Sequence, residues 1–211
     1  MHSAAVMRLT GSERAVAEIS AIAEHMASMT AAAAGFMLQP DVPAQEGLPA
    51  VATVALLDEE TAPEAAATLA EIRAWAGEAL KTDRVPSIWR AFAHHPRLLE
   101  AVWRKNRLVL GAGVLDERTK AGAALAVAQF RQSPYWIAYQ TRFLRVSCGF
   151  DDRSLVELTA MMMHSLAYNT IAHGMRLDAP IDNLAAADFA PGGRLEHSRS
   201  PAQAAPGGAA Q

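Results

Sequence analysis

Residues 116–175 read DERTKAGAALAVAQFRQSPYWIAYQTRFLRVSCGFDDRSLVELTAMMMHSLAYNTIAHGM, and this stretch decides the fold. Asp116 stands before a run, 121–130, that carries no charge at all. A capped helix entering a core is predicted there. Ser133-Pro134 pairs a cap with a first-turn proline and opens a second helix to about Ser147, closed by Gly149. Asp151 or Asp152 caps a third helix, which runs to His173 with Gly174 behind it. Successive helices separated by short turns make the class all-α.

Outward from that stretch the same signals recur. Pro86 and Pro96 sit where helices begin and bracket helical segments at 87–94 and 97–110. Thr61-x-x-Glu64, with Pro63 in the first turn, reads as a capping box opening a helix to about Leu80. An extra N-terminal helix is expected over 12–34, stopped by Gly35, and the Pro-rich residues 37–49 form a connector. The run 51–57 is the only strand-like segment. One strand cannot make a sheet, so extended chain lying on the helical body is expected. From Ala179 onward, four prolines and four glycines mark a flexible tail. The expected organisation is therefore 1–49 (N-terminal helix and connector), 50–178 (helical domain) and 179–211 (tail).

Composition agrees and excludes several classes. The chain has 211 residues, 51% hydrophobic and 19% charged, with 46 alanines, which suits one helical globular body. A net charge of −3 gives no electrostatic reason to expect nucleic acid or an anionic membrane as a partner. The charge-free run 158–175 contains Thr159, His164, Ser165, Asn169, Thr170 and His173, too polar for a lipid-facing span. No apolar stretch at the start reads as a secretion signal, so a cytoplasmic protein is expected. Cys148 is the single cysteine, which excludes an intrachain disulfide and a cysteine-pair metal site. His164 and His173 are nine residues apart and point to opposite sides of their helix, so they share no metal. No metal or cofactor is expected.

Four pieces, VPSIWRAFAHHP (85–96), LDERTK (115–120), SPYW (133–136) and YNTIAHG (168–174), carry a resemblance. From about Val85 to Met175 the chain resembles the AhpD-like alkylhydroperoxidase and carboxymuconolactone decarboxylase superfamily. The resemblance implies an AhpD-like helical bundle. An active member places a Cys-x-x-Cys pair at a helix N-terminus, a His four residues after the second Cys, and a Glu on the preceding helix. The matching positions here are Ser133, Trp136, Gln140 and Ala121. A serine hydroxyl and an indole cannot cycle through sulfenic acid and disulfide. Cys148 cannot stand in, fifteen residues beyond Ser133 and roughly 22 Å along the helix. The resemblance thus implies a degenerate redox centre, with residual alkylhydroperoxidase activity the less favoured reading.

Ser133, Trp136 and Gln140 share one helix face at i, i+3 and i+7. Catalytic candidates are Ser133, Gln140 and His164, the last as a general acid or base; ligand-binding candidates are Ser133, Tyr135, Trp136, Gln140 and His94. Each has a plainer reading: Ser133 as a helix cap, Trp136 as a core filler, Gln140 as a partner for buried backbone, His94 and His95 as capping and packing residues. The expected function is a remodelled pocket that binds or transforms a small organic metabolite without thiol chemistry. The alternative is a non-catalytic structural or regulatory homo-oligomer. A homo-oligomer is expected in either case, with Leu98, Leu99, Val102, Trp103 and the first helix as surfaces available to a neighbour.

Overall fold

The computed structural model describes residues 10–41 and 52–176. The chain divides into two units, Met1–Ser12 with Ala179–Gln211, and Glu13–Asp178. In the first, only residues 10–12 are described, with the Ser12 amide donating to Thr10 Oγ1 at 3.2 Å. The expected tail and most of the expected connector lie outside the described residues.

The second unit is all-α: among the described residues there is no strand. In chain order it has α1 (Glu13–Gly35), a 3-10 turn (Pro63–Ala65), α2 (Ala66–Ala79), α3 (Ser87–Phe92), α4 (Pro96–Leu110), α5 (Glu117–Phe130), α6 (Pro134–Cys148) and α7 (Asp152–Gly174). The deciding stretch folds as its caps dictate. Asp116 accepts from the Thr119 amide at 2.7 Å, and Asp151 from the Ser154 amide at 2.8 Å. Gly149 takes the left-handed conformation, φ 70°, that lets the Phe150 amide return to the Leu144 carbonyl at 3.0 Å. The capping box at Thr61 forms differently. Asp58 Oδ1 accepts from the amides of Glu60 and Thr61, and Pro63 begins a 3-10 turn before α2 starts. An Asx turn ahead of the proline satisfies those amides locally, so no capping box is needed.

Helix α5 is the axis of the bundle, packed on α1, α6 and α7. Its buried positions are mostly small (Ala121, Gly122, Ala124, Ala128, with Leu125), which lets three helices approach closely. Around it the core joins Ile22, Met26 and Met29 of α1, Leu69 and Ile72 of α2, Trp89 of α3, Leu99 and Trp103 of α4, and Trp136 of α6. Leu99 and Trp103 therefore serve the chain's own core rather than a neighbour, as does the apolar stripe of α1.

Residues 52–57 form no strand and lie on the helical body, with bends at Thr53 and Val54 where the sequence predicts extended chain. Arg90 holds them: its Nε donates to Leu57 O at 3.1 Å and its terminal nitrogen to Leu56 O at 2.8 Å. Glu18 fixes α1 to the loop before α5. Its carboxylate accepts from the amides of Val114 (2.9 Å) and Leu115 (3.0 Å) and meets Lys120 Nζ at 3.1 Å. These donors, the two amides first, hold its pKa at about 2. A Cβ at Gly113 would stand 2.5 Å from that carboxylate, so a larger residue there would have to displace the Glu18 side chain from its donors. Lys120 is buried, and its ammonium also donates to the carbonyls of Val109 (3.2 Å) and Gly111 (2.8 Å) at the end of α4.

Candidate functional site

Helix α6 begins at Pro134 because proline is pre-set for the first turn, and Ser133 occupies its N-cap. The Ser133 hydroxyl makes no capping bond, although its carbonyl takes the Ile137 amide at 2.9 Å. One turn on, Trp136 is fully buried and its indole N–H donates to Met29 O of α1 at 2.8 Å. A further turn on, Gln140 is also buried, its amide nitrogen 3.9 Å from Met26 Sδ. The face of α6 that groups these three residues is thus covered by α1, through Met26 and Met29.

Gln140 nevertheless borders an open cavity of about 550 Å³ between α2, α4, α5 and α6. Its walls include Trp75, Phe143, Tyr139 and Ala121, with Glu78, Arg107 and Glu117 contributing charge. Ala121 and Gln140, at the positions where the resemblance implies a Glu and a His, both line this cavity. Trp75 lies nearly parallel to Tyr139 and Phe143 (16° and 13°, centroids 6.2 Å), giving an aromatic wall. Arg107 stands over the Trp103 ring at 5.7 Å, which orients its guanidinium.

A buried polar pair backs the cavity. Asn106 lines it and accepts from Nε2 of His25 through Oδ1 at 3.0 Å. Burial lowers the His25 pKa, so the ring is held neutral. Tyr139 and Trp89 add a buried phenol and a buried indole N–H, which face each other without a well-formed hydrogen bond. Burial raises the Tyr139 pKa, which keeps the phenol protonated.

The remaining candidates are dispersed. Ser133 and Tyr135 border a second, smaller cavity of about 370 Å³ beside Thr30 and Leu38. Tyr135 is itself buried, its hydroxyl accepting from the Ile88 amide at 3.1 Å. Trp136 lines neither cavity. His94 donates from Nε2 to Ala55 O at 2.9 Å and so helps hold the segment 52–57, while His95 Nδ1 caps α4 by accepting from the Leu98 amide at 3.2 Å. His164 is exposed on α7, edge-on to Tyr168 at 4.5 Å. Cys148 packs half-buried beside Leu144 and Phe150, and burial raises its thiol pKa, which disfavours a thiolate. Among the described residues no group of three His, Cys, Asp or Glu side chains could hold a metal ion, and no helix is long and apolar enough to cross a membrane.

Asn106, His25, Trp75 and Phe143 are absent from the sequence-based candidates. A signal for two of them exists. Asn106 interrupts the stripe Leu99, Trp103, Leu110, and His25 interrupts Ile22, Met29, Ala33. A polar group on a buried stripe needs a partner, and here each is the other's.

No protein-family model and no curated protein matches the chain. Among solved structures it is similar to the crystal structure of the alkylhydroperoxidase AhpD core from Rhodospirillum rubrum ATCC 11170. The two share 30% sequence identity with a TM-score of 0.54, over 60% of this chain and 93% of that one.

Proposed function

For a chain that belongs to the AhpD-like alkylhydroperoxidase family but carries a single cysteine, we propose a non-redox role: its cavity binds, or transforms without thiols, a small organic metabolite. The observation that carries this reading is the open cavity lined by Trp75 and Phe143 together with the amides of Gln140 and Asn106. Its size is in the range of small-molecule sites, roughly 300–1,000 Å³. Aromatic walls suit a flat or apolar body, and the two amides suit a polar substituent, with acid–base or positioning chemistry rather than electron transfer. Cys148 is adjacent to Ser147 of the lining but is not itself part of it, and burial raises its thiol pKa, so no thiolate role is assigned to it.

The test is native mass spectrometry after incubation with a metabolite mixture, followed by affinity measurement on the compound retained. Gln140→Leu should weaken binding by about tenfold, the effect of one lost hydrogen bond of about 1.4 kcal/mol. Unchanged affinity removes Gln140 from the site; no retained compound removes the reading. Peroxide consumption with a thiol or dihydrolipoyl reductant should stay at background, and Cys148→Ser should change nothing. A second reading, a non-catalytic structural or regulatory homo-oligomer, is favoured by Trp136, whose burial under α1 closes the face that the resemblance assigns to chemistry.

A further inference from the structure

Helix α6 begins inside the protein with its first donors unspent. The turn before it closes on α5. Gln132 takes the left-handed conformation, φ 52°, and returns its own amide to Gln129 O and the Ser133 amide to Ala128 O, each at 3.0 Å. Those carbonyls at the end of α5 are thereby occupied. In α6 itself Pro134 has no amide hydrogen, and the Ile137 amide is taken by Ser133 O at 2.9 Å. That leaves the amides of Tyr135 and Trp136, in residues 2% and 0% exposed. Among the described residues nothing accepts from either. Ser133, whose side chain at the N-cap would ordinarily do so, makes no such bond. Buried donors left in this way are costly and call for an acceptor.

The place for that acceptor is marked by Ser133. It is only 8% exposed, its hydroxyl has no partner among the described residues, and with Tyr135 it lines the cavity of about 370 Å³. First-turn N–H bonds point back along the helix axis past the N-cap. The Trp136 amide is therefore directed to the same end, although its side chain lines neither cavity. Arg131 lines this cavity too, and among the lining residues there is no Asp or Glu. Ala34, Leu38 and Pro134 add an apolar part to the lining. One positive charge, two amides and a hydroxyl match one carboxylate, and the apolar part matches a short hydrocarbon chain behind it. We infer that the second cavity binds a small aliphatic carboxylate, held by the Tyr135 and Trp136 amides, the Ser133 hydroxyl and Arg131. This site is separate from the larger cavity and does not depend on what that one holds.

Proton–nitrogen correlation spectra of the full chain, titrated with acetate, butyrate and hexanoate, test the site. The Tyr135 and Trp136 amide protons should move downfield and saturate. Affinity should rise along the series, by up to about fourfold for each CH2 that the apolar lining covers. Ser133→Ala removes no bond within the protein, and Arg131 is exposed, so Ser133→Ala and Arg131→Gln both keep the fold. They should weaken hexanoate by about fivefold and about tenfold respectively. Hexan-1-ol, with the same chain and no charge, should leave both amides unmoved. Amides that no carboxylate moves overturn the inference, as does an equal response to hexan-1-ol or an affinity that neither variant changes. Inorganic phosphate that binds more tightly than hexanoate overturns the aliphatic carboxylate and makes this a site for bare oxyanions. Hexanoate that shifts the Gln140 and Asn106 side-chain amides instead places the ligand in the larger cavity, which overturns the inference and leaves the proposed function standing.

Discussion

Helices α1 and α7 are both 23 residues long and both more than half apolar, yet α1 buries seven residues and α7 buries none. Apolar content therefore does not decide which helix joins the body. What separates them is the polar groups carried along the apolar side. In α1, Glu18 meets Val114, Leu115 and Lys120, His25 meets Asn106, and the Met29 carbonyl meets Trp136. Each pair satisfies a group that would otherwise be costly to bury, so one register of α1 is selected over its slips. Among the described residues, α7 has no such pair with the body past Thr159.

The comparison breaks most sharply at Trp136. Trp136→Ala opens a cavity under α1 and orphans the Met29 carbonyl, and should cost about 3–5 kcal/mol in urea unfolding. An unchanged midpoint would show that α1 does not depend on this contact. Lys120→Met comes next. It leaves Glu18 without its cation and two α4 carbonyls without a donor, a loss of about 3 kcal/mol. Amide exchange should quicken in α1 far more than in α7; equal acceleration would mean that the two helices are not separately anchored.

The mildest probe is pH. His25 in the folded chain has a lowered pKa, so the unfolded chain binds its proton first, and stability should decline as pH falls below about 6.5. A second decline follows between 4.5 and about 2, where Glu18 keeps its charge in the folded state while the unfolded carboxylate is protonated. His25→Phe should remove the upper decline and leave the lower one. A variant whose unfolding profile keeps both would place the upper titration on another group.

Local features of this fold were legible in the sequence because they are local. Asp116, Asp151 and Gly149 act within three to five residues of themselves, and the elements they bound fall where the caps put them. The site was legible only in part. The spacing of Ser133, Trp136 and Gln140 correctly groups three residues on one face, but the helix that covers that face comes from 107 residues away. His25 and Asn106 are separated by 81 residues. Helical periodicity records that a stripe will be buried and does not record by what, so pairings between distant stripes had no signature of their own.

Trp75, Trp103 and Trp89 form a chain of edge-to-face contacts, with successive centroids 5.4 and 5.1 Å apart. Indoles this close share their electronic excitation, so the three absorb as a coupled system rather than as separate chromophores. Trp75 forms part of the cavity wall, and Trp103 lies under the guanidinium of Arg107, which lines the same cavity. A molecule entering the cavity therefore touches one end of an optical relay that runs into the core. Binding of the kind proposed should therefore be readable in the ultraviolet dichroism of the protein without a label.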